Sequence, residues 1–339
     1  MEAAVRRLGV RNMRFRYSFC LLGCLALSAS GAFPQISSPR ALRAEARSLT
    51  TAEVSGLAKL AGEGNTETEL MMGLTMQLYA ERMRYDPQGR ADLYKLSAHW
   101  FRKASEKGSA PALYFLAASD LPLMSCEEAF KSLDKAISLS YTPAITAMGQ
   151  LFYMDGRCGK NDYGKGLQLL RKAAEGGDAE AYYFIGIAYE QGRGVVADQI
   201  EATKWFLKGA QKGDASSQNS VGINFAEGIG TRKNVEESVE WFRKGAEQGN
   251  YEAACNLALH YMRGQGVPKN YIVSLMWGLI ADVNATEIGC LAEIDTMDLL
   301  QMTPAQVAEA TERANAWLKE HHYPPTEAPH RVEQPVGAL

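Results

Sequence analysis

Through the middle of the chain, apolar and small residues recur at i, i+4, i+5 and i+8, the spacing of one face of an α-helix. In residues 181–192 the stripe is Ala181, Ile185, Gly186 and Tyr189. A second stripe follows, made of Ala202, Trp205, Gly209 and Ala210. The pattern restarts every 36 residues: Trp205, Trp241 and Trp277 fall in register, as do Asp198, Asn234 and Asn270, and Gly177, Gly213 and Gly249. A fixed period of this length is the signature of a repeat array.

Each period predicts a helix hairpin. Glycines near 192, 194, 228 and 230 end the first helix and turn the chain. Asp198, Asn234 and Asn270 stand where a side-chain acceptor caps the second helix. One hairpin cannot bury its apolar face alone, whereas stacked copies can, so the fold class is all-α, an α/α superhelical solenoid. The tryptophans read as the bulky core filler of each second helix, so Trp205 and Trp241 are expected to be buried. Looser copies lie upstream, where Lys103-Ala104-Ser105-Glu106-Lys107-Gly108 echoes Lys172-Ala173-Ala174-Glu175-Gly176-Gly177. The repeats are placed at 66–283: a first pair of helices at 66–108, then about five units.

The flanks read differently. Residues 284–322 are assigned to capping helices, the last opening with Thr303 as N-cap, Pro304 at the first helical position and Gln306 completing a capping box. The proline-rich tail, 323–339, is expected to be disordered. Residues 33–65, rich in Ala, Ser, Thr and Gly, predict a linker with one short helix. Residues 1–32 carry five arginines against Glu2, an apolar run from Tyr17 to Ala29, and the small residues Ser30, Gly31 and Ala32. That is the order of a secretory signal peptide, and the run is too short to span a bilayer, so no stable span is expected after cleavage. Met1 and Met13 are both possible starts, and Leu21-Leu22-Gly23-Cys24 offers a weaker lipoprotein reading. The expected location is the periplasm or the exterior.

A net charge of -3 removes the electrostatic footprint of a nucleic-acid binder. GxSxG, HExxH, Walker and GxGxxG strand–helix patterns are all absent from the sequence. The five histidines form no i, i+4 pair, and the cysteines have no CxxC spacing, so neither a cofactor nor a metal is predicted. Four cysteines lie beyond residue 32. Cys126 and Cys158, and Cys255 and Cys290, are each separated by about one repeat. Cys126–Cys158 and Cys255–Cys290 are therefore candidate disulfides, set against four small buried thiols.

The motif A-x-x-x-[LIV]-G-x-x-[YF]-x-x-G-x-G, followed by D/N and A-x-x-W-x-x-K-A-A-x-x-G, resembles the Sel1-like repeat family, a relative of the tetratricopeptide repeats. Residues 181–213 carry it almost throughout and 217–249 nearly so, while Ala258 replaces the glycine in the last unit. The resemblance implies a scaffold, often at the bacterial envelope, whose first helices line a concave side. On that geometry Glu180, Tyr183, Glu190, Asn219, Glu227, Glu252 and Arg263 are the candidate groove residues for a peptide or another protein. The function expected is a non-enzymatic, exported interaction scaffold. The alternative is a cell-wall-directed enzyme or ligand-binder acting on penicillin or peptidoglycan, since some cysteine-rich relatives are linked to penicillin binding.

Overall fold

The computed structural model describes residues 39–49, 51–82, 87–118, 125–153, 162–284, 290–292, 302–323 and 325–326. Among these residues there are fifteen α-helices and no strand. They are α1 (Pro39–Ser48), α2 (Thr51–Gly62), α3 (Thr66–Arg82), α4 (Pro87–Glu106), α5 (Ala110–Ala118), α6 (Cys126–Ser138), α7 (Pro143–Tyr153) and α8 (Tyr163–Glu175). There follow α9 (Ala179–Gln191), α10 (Gln199–Gln211), α11 (Ala215–Glu227), α12 (Val235–Glu247), α13 (Tyr251–Arg263) and α14 (Tyr271–Asn284). A short 3-10 helix, Cys290–Ala292, and α15 (Pro304–Glu320) close the order. From α3 to α14 every helix packs on its successor, giving six hairpins. The first helices α5, α7, α9, α11 and α13 also touch one another in series and form the inner layer.

Local chemistry sets the helix ends. Asp198 and Asn234 cap the second helices α10 and α12 with their side chains, and Asp178, Asp214 and Asn250 do the same for the first helices α9, α11 and α13. The first helices end on Gly192, Gly228 and Gly264, all left-handed, a conformation that glycine adopts without a Cβ penalty. Two positions on, Gly230 and Gly266 leave room for the backbone of the preceding hairpin: a methyl group there would overlap the carbonyls of Gln199 and Val235.

The core corrects the reading of the tryptophans. Trp205 and Trp241 are only half-buried, with the amines of Lys208 and Lys244 4.2 and 4.1 Å from their ring centroids. The residues that fill the hairpins are the next in sequence, Phe206 and Phe242, each 1% exposed. Their rings press on Gly186 and Gly222 of the facing helix, where any side chain would collide, and Phe101 presses on Gly73 in the same way. One 36-residue step later the pair is reversed in size: Ala258 stands for the glycine and Gly278 for the phenylalanine. The pair loses the volume of a ring, and in this hairpin the adjacent Trp277 is the buried aromatic, 7% exposed, in one cluster with Ala258.

Both flanks are more ordered than the sequence implies. Where a linker with one short helix is expected, α1 and α2 both form. Leu42 and Ala46, one turn apart on α1, are 4% exposed against Leu70, Leu74 and Phe115, and Ala61 of α2 is fully buried. At the other end α15 covers α14, with the Thr303–Gln306 capping box formed. The start of the predicted tail is fixed: Thr326 exchanges two hydrogen bonds with Asn315, and Tyr323 is half-buried. The signal-peptide residues 1–32, and the tail beyond 326, lie outside the described residues. No helix among those residues is long and apolar enough to cross a membrane.

Candidate functional site

The inner layer carries a line of polar groups that hydrogen-bond from one repeat to the next. Thr146 on α7 donates to the Asp178 carboxylate at 2.6 Å, and Gln150 donates to Glu180 Oε1 at 3.0 Å. Two repeats on, the Asn219 amide donates to Glu252 Oε2 at 3.0 Å and its carbonyl accepts from Asn256 at 2.9 Å. Asn219 is 4% exposed, and Tyr251 adds a second donor to Glu252. Tyr183 stands between these groups, its ring 5.8 Å from that of Phe206.

The electrostatics are those of a partly dehydrated acidic groove. Burial, reinforced by the charges of Asp178 and Asp214, raises the Glu180 carboxyl to about 7. The hydrogen bond from Gln150 and the positive charge of Arg43 oppose this. Tyr183 is pushed up to about 12 by burial and then by Glu252, Asp214 and Glu190. Burial likewise raises Tyr114 and Tyr141, whose hydroxyls also feel nearby carboxylates, and it raises Glu190. Above pH 7, where Glu180 is ionised, carboxylates beside neutral amide and hydroxyl donors make the groove negative, which favours a cationic or amide-rich ligand.

Of the predicted groove residues, Glu180, Tyr183, Asn219 and Glu252 share this surface, and Glu190 adds its charge to Tyr183. Glu227 and Arg263 stand elsewhere. Both are exposed and act on His260, beside a cavity of about 280 Å³ lined by Glu227, Lys233, Glu236, His260 and Gln265. His260 is 8% exposed and its Nδ1 lies 2.9 Å from the Gln265 carbonyl; burial lowers its proton affinity. The sequence reading misses Asp178 and Asp214, which cap helices and charge the groove at once. Their 36-residue register, continued by Asn250, is the signal that reveals them. It also misses Thr146, Gln150 and Asn256, which only the stacking of neighbouring helices brings into line.

Cys255 of α13 and Cys290 of the 3-10 helix form a disulfide with Cα atoms 5.4 Å apart. It fastens the segment after α14 to the last repeat. Cys126 is also disulfide-bonded, and its candidate partner Cys158 lies outside the described residues. Among the described residues no group of three or more His, Cys, Asp or Glu side chains is placed to hold a metal.

Comparison with known proteins supports the architecture. The Sel1 repeat pattern matches residues 83–109, 142–178, 179–214, 215–250 and 252–281. The fold is similar to that of a protective antigen present in uropathogenic Escherichia coli strains, which displays an SLR fold. The identity there is 21%, with a TM-score of 0.53, over 85% of this chain and 60% of that one. The chain thus spans about three fifths of that relative's length. A Sel1 repeat protein from Oxalobacter formigenes is 26% identical over 67% of this chain and 95% of its own, with a TM-score of 0.49. An immunity protein from Pseudomonas aeruginosa is 17% identical over 66% of this chain and 83% of its own, with a TM-score of 0.45. No curated protein matches.

Proposed function

Since the chain belongs to the Sel1 repeat family, whose members are generally protein-interaction scaffolds, we propose that it is a non-enzymatic scaffold that holds a protein or peptide in its concave groove. The observation that carries this reading is the inter-repeat polar line Gln150–Glu180 and Glu252–Asn219–Asn256 on the inner helices. Side-chain amides held in this way are rigid and keep further donors and acceptors for the main chain of a ligand. The basic, apolar and small-residue order of residues 1–32 supports export to the bacterial envelope. A disulfide in the fold agrees with an oxidising compartment.

Crosslinking in native envelopes, followed by capture of the full-length chain, tests the reading. Tyr183→Ala with Asn219→Ala and Asn256→Ala should lose the partner while the helical content persists. Unchanged capture by that triple variant would place the binding surface outside the groove. Intact-mass analysis of the natively expressed protein tests export: the expected species begins near Phe33, and a chain retaining Arg6 and Arg7 would overturn it.

A further inference from the structure

The chain places a basic helix of its own on the acidic inner surface. In α1 the apolar pair Leu42 and Ala46 sits on α3 and on Phe115, and the same turns carry Arg43 and Arg47 at i, i+4. Arg43 pairs with Glu81 at 3.3 Å, its guanidinium lies 5.9 Å from the centre of the Phe115 ring, and its charge acts on Glu180 and Tyr114. Arg47 reaches 276 residues along the sequence: it donates to the Tyr323 hydroxyl and stacks 4.2 Å from that ring's centre. Tyr323 in turn rests at the α12–α13 turn, its hydroxyl against Gly249, just before the helix that carries Glu252. The helix therefore rests on the inner helices of the first hairpins and is tied to the far end of the array through Tyr323.

We infer that the groove is a receptor for a basic amphipathic helix of a partner protein, and that α1 is the built-in occupant which such a helix replaces. The inference rests on the groove reading above and names the chemistry of its ligand. Charge complementarity carries it. Asp178, Glu180 and Glu252 are each held by neutral donors (Thr146, Gln150, Asn219 and Tyr251), so their hydrogen bonds are satisfied, and above pH 7, where Glu180 is ionised, their charge is left for a cation. The cation that acts on Glu180 is Arg43. Exchange is feasible because α1 has ten residues, too few to hold a helix unaided, and its far anchor is one side-chain pair, Arg47 with Tyr323. A ligand of this class carries Arg or Lys four residues apart beside a Leu/Ala stripe, as α1 does.

The test uses the full chain at pH 8 and low salt, with a fluorescent, end-capped peptide of sequence PRALRAEARS, read by anisotropy. A control peptide has the arginines of positions 43 and 47 replaced by glutamine. Tyr323→Ala, which releases the far anchor from the groove side, should bind the basic peptide at least tenfold more tightly than the unmodified chain does. Arg47→Gln, which releases it from the helix side, should do the same. Adding Glu180→Gln and Glu252→Gln to Tyr323→Ala should weaken binding at least tenfold, and the glutamine peptide should bind at least tenfold more weakly throughout. Equal binding of both peptides would overturn the basic-helix inference while leaving a peptide groove in place. Absence of binding to every variant would overturn it as well, and the envelope crosslinking with the Tyr183, Asn219 and Asn256 variant then decides separately whether the groove reading stands.

Discussion

Glu180 is the residue whose chemistry is most altered by its surroundings. Its carboxyl binds a proton more strongly in the folded chain, at about 7, than in the unfolded chain, where it keeps its ordinary value of 4.5. Between those values the folded state holds a proton that the unfolded state has lost. Stability is therefore greatest below about 4.5 and falls as pH rises through 7, by about 1–3 kcal/mol. The groups facing it are Asp178, Asp214, Gln150 and Arg43. Melting curves from pH 5 to 8 should show a downward slope that Glu180→Gln flattens; parallel slopes would mean that the carboxyl is not dehydrated. Asn219 gives a second residue-scale test. It is buried and bonded on both sides, so Asn219→Ala leaves the Glu252 and Asn256 groups short of a partner and should cost about 1–3 kcal/mol in urea unfolding.

At the scale of the helix hairpin, the decisive pair is a glycine on the first helix and a phenylalanine on the second. Phe242→Ala should cost about 3–5 kcal/mol, since the ring is buried and Gly222 cannot move in to fill the space. Gly222→Ala should cost about 1–3 kcal/mol by overpacking the same contact. Trp241→Ala should cost less than Phe242→Ala, because the indole is only partly buried and packs under Lys244 at the surface. Chemical denaturation ranks the three; a larger loss for Trp241 than for Phe242 would refute this account of the core. In sequence the two aromatics are adjacent and both recur at 36 residues, so periodicity alone marks the helix face without saying which ring points inward. The side-chain directions of a packed pair of helices make that choice.

The whole molecule is held at its ends by contacts between distant parts of the chain. The Cys255–Cys290 bridge closes a loop spanning 35 residues, which the chain-entropy view values at about 3–4 kcal/mol. Replacing both cysteines by serine should loosen the segment that contains Cys290, and with it α15, before the central repeats, since stability in a solenoid is local. Hydrogen exchange should then rise first in α14 and α15; a uniform rise from α3 to α15 would show that the array unfolds as one unit. The contact between Arg47 and Tyr323 belongs to the same scale, because the curvature of six stacked hairpins brings the two ends together.

The sequence by itself determined the helix hairpins, their period and their stacking order, because helix faces, caps and glycine turns are local signals repeated at 36 residues. It also placed Glu180, Tyr183, Asn219 and Glu252 on one surface, since a shared register position on stacked hairpins is a shared face. Tertiary structure alone decided the rest. In 33–65 the sequence signals one short helix; that two form, α1 and α2, follows from both docking on α3. Glu227 and Arg263 fall out of the groove because a step of one residue turns a helical side chain by about 100°. The bonds from Gln150 to Glu180 and from Asn256 to Asn219 link helices whose lateral offset no one-dimensional pattern encodes. Superhelical curvature, the sum of small rotations between repeats, sets Arg47 on Tyr323.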